Sequence, residues 1–253
     1  MAAVPTLVVA LGLALVAAPA LAGAQALPAP PEGWEPLGFE RVEAATRYEA
    51  LREGERPVLR AESRCSASGL MLRLEPGQLA KAPRLQWRWR IERALPEHDE
   101  SRREGDDFAA RVYVLFRFDP ASASLWERTR HRVASALRGD ELPGRAVTYV
   151  WSSREPAGRR WASPYTTSAR LVSRGHGPLP AWRREEVDPR ADYRRLFGDE
   201  PPEAVAIALM TDTDDTCGHA VAWFADFRLL PGETGRSGGR NPPGGGSSDP
   251  SEG

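Results

Sequence analysis

Leu85-Gln86-Trp87-Arg88-Trp89-Arg90-Ile91 is the stretch that decides the fold. Large apolar side chains fall at every second position, and Gln86, Arg88 and Arg90 fill the gaps. A period of two marks a strand with one apolar and one polar face. In a helix the same residues would scatter around the circumference. The rhythm recurs along the chain. Phe108, Ala110, Val112, Val114, Phe116 and Phe118 share a face against Arg111, Tyr113, Leu115 and Arg117. Val205, Ile207 and Leu209 alternate with Ala206, Ala208 and Met210. Val221, Trp223, Ala225, Phe227 and Leu229 alternate with Ala222, Phe224, Asp226 and Arg228. Further strands are expected near 37–43, 46–51, 57–63, 69–74, 146–152, 165–173 and 181–187. Short alternating strands between Gly and Pro turns predict a mainly β chain, an antiparallel β-sandwich of jelly-roll type over 34–231.

Two helices are expected within it. Ser124-Leu125-Trp126-Glu127 has the capping-box pattern and opens a helical insertion near 122–138, with Gly139 as its stop. Asp188 and Pro189 start a short helix near 189–197, which Gly198 ends.

The flanks read differently. Residues 1–24 carry no charge, and Leu7 to Ala18 is unbroken apolar and small residues before Ala20-Leu21-Ala22. That pattern predicts a signal peptide, too short for a membrane span, and a periplasmic or secreted mature chain. No second apolar span suggests stable membrane insertion of that chain. Residues 25–33 are Pro-rich and read as a linker; 232–253 are Gly, Ser and Pro and read as a disordered tail. With 34 basic against 35 acidic residues, nucleic acid is not an expected partner.

Chemistry concentrates at two strand ends. Ala206 to Thr211 runs into Asp212-Thr213-Asp214-Asp215, and Asp106-Asp107 opens the strand at Phe108. Clustered carboxylates are costly unless a cation, an arginine or a ligand neutralises them. One reading is calcium, held by Asp212, Asp214, Asp215 and Asp226 with backbone carbonyls, although Cys217 stands where an EF-hand needs Gly. The bland alternative is turn capping by Asp and Thr side chains. A third is pairing of Asp106 and Asp107 with Arg88, Arg90 or Arg111. The string also fits the D-x-D-x-T nucleophile pattern of haloacid-dehalogenase phosphatases. That pattern needs a long α/β unit after it, and here one strand follows.

The two cysteines, Cys65 and Cys217, either pair in an oxidising compartment or stay as buried thiols. Trp87 and Trp89 belong to the core face, whereas Trp126, Trp151, Trp161 and Trp182 near loops are candidates for ligand stacking. No G-x-S-x-G motif or paired histidine spacing is present. For carboxylate-dependent glycoside hydrolysis the nominated pair is Asp107 with Asp212 or Asp214.

The segments Asp106 to Val114, Thr148 to Ser153, Asp192 to Gly198 and Ile207 to Asp214 resemble an uncharacterised family of exported bacterial proteins, domain of unknown function 3047. The resemblance runs from about Trp34 to Leu230 and implies no activity or site. This chain departs from that family's pattern at Asp215 and Cys217, so the resemblance implies neither a ligand nor a disulfide there. More loosely, the Ser-rich turn Ser66 to Leu70 and the strand Trp223 to Phe227 look like the two ends of carbohydrate-binding jelly rolls. Three functions stay open: a module binding a glycan or other polar ligand through Asp106, Asp107, Arg88, Arg90, Arg111 and Asp212; a carboxylate-dependent glycosidase or lyase; and a structural envelope protein without a small ligand.

Overall fold

The computed structural model describes residues 23–39, 42–119 and 144–232. Their strands are β1 (Gln25–Ala26), β2 (Glu35–Leu37), β3 (Arg47–Glu53), β4 (Arg56–Arg64), β5 (Ala67–Arg73), β6 (Arg84–Arg93) and β7 (Ala110–Phe116). There follow β8 (Arg145–Trp151), β9 (Arg160–Ala162), β10 (Ala169–Ser173), β11 (Arg183–Val187), β12 (Ala204–Asp212) and β13 (His219–Leu230). One sheet has the order β11-β6-β13-β4-β3, with β1 also against β13; the other runs β2-β5-β12-β7-β8-β10-β9. All pairings are antiparallel except β8 with β10. The fold is the expected sandwich.

Alternation along β6 sends Trp87, Trp89 and Ile91 inward, where they have no exposure. Trp87 meets Trp89 edge-on at 5.3 Å and Tyr149 of β8 at 5.7 Å, while Trp89 meets Trp151 at 6.1 Å. These rings join the sheets, and burying each large side chain contributes roughly 1.5–3 kcal/mol. Phe224, Phe116, Ile207 and Leu209 complete the layer.

β13 departs from simple alternation. Its register shifts between Ala225 and Arg228, where Asp226 takes a left-handed φ of 56°. Such a bulge moves the following residues to the opposite face. Ala222 and Phe224 are therefore core before it, and Phe227 and Leu229 after it. Trp223, expected with Phe227, stands instead on the outer face over Arg90.

Residues 25–33, expected as a linker, pack on the sandwich. β1 pairs with β13, Leu27 N–H donates to the Phe227 carbonyl at 3.0 Å, and Trp34 Nε1 donates to the Pro28 carbonyl at 3.0 Å. Trp34 also lies edge-on to Phe227 at 5.2 Å, so apolar side chains fix the Pro-rich segment. Two expected strands are shorter than their sequence pattern. Residues 38–39 and 42–46 follow β2 as loop, and 163–168 precede β10 as loop.

Helix α1 (Gln78–Lys81) is an unexpected single turn. α2 (Pro189–Phe197) has the expected limits. The Asp188 carboxylate accepts from Ala191 N–H at 2.9 Å, Pro189 occupies the first turn, and Gly198 closes it at φ 79°. The insertion near 122–138, the segment 1–22 and the tail from 233 lie outside the described residues. No helix among the described residues is long and apolar enough to cross a membrane.

Candidate functional site

Alternation on β7 and β12 sends Val112, Val114, Ile207 and Leu209 into the core. It sends Arg111, Tyr113, Met210 and Asp212 to the outer face of the second sheet, where they floor a cleft of about 860 Å³. Thr148 of β8 and Leu171 of β10 continue this floor. Phe39, after β2, and Tyr165, before β10, line the same cleft from loops at opposite edges of the sheet. These rings are 40% and 50% exposed, unusual for aromatic side chains in so buried a molecule.

Arg111 is the electrostatic centre. Its Nε donates to Asp212 Oδ1 at 2.8 Å, and its Nη2 donates to Asp212 Oδ2 and to the Asp106 carbonyl. Nη1 lies 3.4 Å from Asp106 Oδ2, and the Phe108 ring sits 4.4 Å from the guanidinium carbon. A buried two-pronged pair of this kind holds only while every member is bonded. Burial raises the Asp212 carboxyl, and Arg111 opposes that rise.

Asp107 has a different task. It is fully buried, and its Oδ1 accepts from Asp215 N–H at 3.1 Å. Its Oδ2 accepts from the N–H and hydroxyl of Thr216, each at 2.6 Å. It thus caps the turn that follows β12. Cys65 and Cys217 form a disulfide that ties the end of this turn to the end of β4. The Thr213 hydroxyl meets Ser63 Oγ at 2.7 Å, and Thr213 N–H donates to the Ser66 carbonyl at 2.9 Å. Upstream, a Cβ on Gly105 would strike the backbone of Asp99, so only glycine lets the chain turn here and deliver Asp106 to the cleft.

Carboxylate oxygens of Asp107, Asp212 and Asp214 lie within 4.8 Å of one another. The expected calcium set is nevertheless not assembled. Asp226 lies on the other sheet, where Arg88 Nε is 2.7 Å from its Oδ2. Arg111 serves Asp212, and N–H and O–H donors serve Asp107. The same commitments remove Asp107 and Asp212 as a hydrolytic pair, because neither carboxylate is free to reach a substrate.

Three carboxylates of the cleft remain: Asp106, which is buried, and Asp214 and Asp215, which are half-buried. Burial raises Asp106, against the pull of Arg111. Burial and then the Asp107 charge raise Asp214. Asp215 is pushed up to about 6 by burial and by the charges of Asp214, Asp107 and Asp106, despite a hydrogen bond from the Tyr165 hydroxyl. Two polar atoms in the cleft lining, Asp106 Oδ1 and Thr148 Oγ1, are buried without a hydrogen-bond partner among the described residues.

Arg88 and Arg90, grouped with these residues in the sequence reading, are on the outer face of the first sheet. They flank Trp182 at 4.9 Å each, and Arg90 also stacks on Trp223 at 4.4 Å. Trp182 is therefore a stacking partner for arginine, Trp151 is core, and Trp161 packs against Phe108. Trp126 lies outside the described residues. The aromatic residues that do line the cleft, Phe39 and Tyr165, sit in stretches whose β-formers suggested strands. An aromatic inside a Ser-Pro-Tyr-Thr-Thr turn was the available signal.

No curated protein matches the chain. Among solved structures, it is similar to a family 11 carbohydrate-binding module of Clostridium thermocellum in complex with a β-1,3-1,4-mixed-linked tetrasaccharide. Identity is 11% over 83% of this chain and 96% of that one, with a TM-score of 0.42. The family 11 module of the cellulase Lic26A-Cel5E from the same organism gives 10% identity over 79% and 88%, with a TM-score of 0.39. The xyloglucanase domain of NopAA from Sinorhizobium fredii gives 6% identity over 82% and 98%, with a TM-score of 0.32. A family model described as Protein of unknown function (DUF3047) matches residues 32–228, and the chain belongs to that family.

Proposed function

We propose that the protein is an exported module that binds a glycan in the cleft of the second sheet. The observation that carries this reading is the pairing of two exposed rings, Phe39 and Tyr165, with buried hydrogen-bonding atoms left unused between them. Sugar rings have that same duality, with C–H faces that stack on aromatic rings and hydroxyl edges that exchange hydrogen bonds. Met210 and Leu171 add apolar floor, and Thr148 and Asp106 add polar contacts. The floor crosses strands from β5 to β10, each step about 4.8 Å, which suits a run of several sugar rings. Export is supported by the apolar run Leu7 to Ala18 with the small residues that follow it, and by the disulfide, which persists in oxidising compartments.

The test is titration calorimetry against a panel of soluble polysaccharides and oligosaccharides. Phe39→Ala and Tyr165→Ala should each weaken binding about tenfold, the equivalent of about 1.4 kcal/mol. A panel with no ligand, or affinities unmoved by both substitutions, would overturn the reading.

A hydrolytic second reading has one observation in its favour. Asp215, with its pKa pushed up to about 6, stands beside other carboxylates in a cleft, as general acids do. Release of reducing ends by the protein, abolished by Asp215→Asn with binding retained, would establish that reading in place of simple binding.

A further inference from the structure

We infer that the cleft selects glycans with a free amine, the ammonium group of a deacetylated amino sugar seating against Asp106 beside Asp214 and Asp215. This deepens the glycan reading above and rests on it.

Charge is the first argument. The described lining residues include four aspartates and one cationic side chain, Arg111. Arg111 is spent on Asp212 and on the Asp106 carbonyl, and only a 3.4 Å approach links it to the Asp106 carboxylate. Arg103, on the rim at 5.4 Å from the Tyr165 ring, donates to the Pro164 carbonyl. Negative charge in the cleft therefore exceeds positive.

The second argument is an acceptor without a donor. Asp106 is 5% exposed, and its Oδ1 has no partner among the described residues. A buried carboxylate oxygen in that condition costs free energy that a cationic donor recovers. A neutral hydroxyl supplies a hydrogen bond but leaves the charge unbalanced.

Donor number and shape decide between cations. An ammonium brings three N–H donors and needs three acceptors. A calcium ion needs six to eight oxygens. Asp107 accepts from N–H and O–H groups on both its oxygens, and Asp212 does so from Arg111. The carboxylates not held by such donors on both oxygens, Asp106, Asp214 and Asp215, supply the three acceptors an ammonium needs.

The experiment compares chitosan oligosaccharides with N-acetylated chitin and cellulose oligosaccharides of equal length, by calorimetry on the purified protein at near-neutral pH. The expected result is chitosan binding at least tenfold tighter, with the preference shrinking as salt rises. Asp106→Asn and, separately, Asp215→Asn should bring the ratio of chitosan to acetylated-chain affinity toward one, whatever either variant does to overall affinity. Equal affinity for chitosan and its acetylated counterpart would overturn this inference and leave the glycan reading standing. Absence of binding to every glycan would overturn both. A rise in melting temperature with calcium alone, lost in Asp106→Asn, would overturn it in favour of a metal.

Discussion

The two outer faces of the sandwich carry the same residue types and treat them in opposite ways. On the first sheet every described arginine near the centre has a carboxylate: Arg88 with Asp226 and Arg90 with Glu53, each at 2.7 Å, and Arg60 with Glu62 at 2.8 Å. Trp182 and Trp223 roof these pairs, and their Nε1 groups donate to Glu53 and Glu92. Glu62, bonded by Arg60, Arg64 and His219, is pulled down to about 2. In the cleft on the second sheet four aspartates meet one guanidinium, and Asp215 is pushed up to about 6. On the first sheet the charges are paired within the chain, although Arg88 Nε and Arg90 Nε lack a hydrogen-bond partner among the described residues. Uncompensated charge, in a cleft with exposed rings, is the feature on which the proposed ligand binding rests.

The sharpest way to break this contrast is to remove the cation on which each face depends. Arg111→Ala strands Asp212 and Asp106 in a dry site, and should destabilise the protein by about 3–5 kcal/mol in urea unfolding. Arg88→Ala should cost only about 1–2 kcal/mol, from a partly exposed pair and one ring stack. Adding Asp212→Ala to Arg111→Ala should recover part of the loss. Equal costs for the two arginines would erase the distinction between the faces.

A second test addresses the loop that carries the acidic excess. The disulfide closes a sequence separation of 152 residues, for which the chain-entropy treatment gives about 5 kcal/mol. Replacing both cysteines by Ala should lower stability by about 2–5 kcal/mol. It should also weaken ligand binding more than any change on the first sheet does, measured by the same calorimetry.

The smallest effect lies in the pH profile of stability, where the faces have opposite signs. Asp215 has a folded pKa of about 6 against an ordinary 3.8, so the folded state takes up a proton that the unfolded state lacks. Its burden is full above pH 6 and lifts as pH falls toward 3.8. Glu62 has a folded pKa of about 2 against 4.5, so its stabilisation is full above pH 4.5 and is lost as pH falls toward 2. Urea midpoints against pH should therefore rise slightly from 6 to 4 and fall below. Asp215→Asn should flatten the first limb and Glu62→Gln the second.

Much of this was legible because strand alternation is local. β6 alone declares which side chains are core, and Asp188-Pro189 with Gly198 declares α2. The pairing of Arg111 with Asp212 was legible only as one alternative among several, since alternation tells which side of its strand a residue occupies and not which sheet that strand joins. That is why Arg88 and Arg90 were grouped with Arg111, although a whole core separates them. Asp226 escaped for another reason: a one-residue bulge is invisible to periodicity and moved it opposite Arg88. The cleft rims escaped because Phe39, Val42, Tyr165 and Thr166 are strand formers by composition. Here they are loop residues, held by the edges of the sheet and turned toward the cleft.

The fastening of the acidic loop by Asp107 and the disulfide has an energetic consequence. A loop of mutually repelling carboxylates would relax by swinging outward if it were free to do so. Fixed in place, it retains the repulsion as a standing burden on the native state, tolerated because the cross-link offsets it. Stability and binding then pull in opposite directions at Asp215 and Asp214. Neutral substitutions there should make the fold hardier and, under the proposed glycan binding, weaken the hold on the ligand.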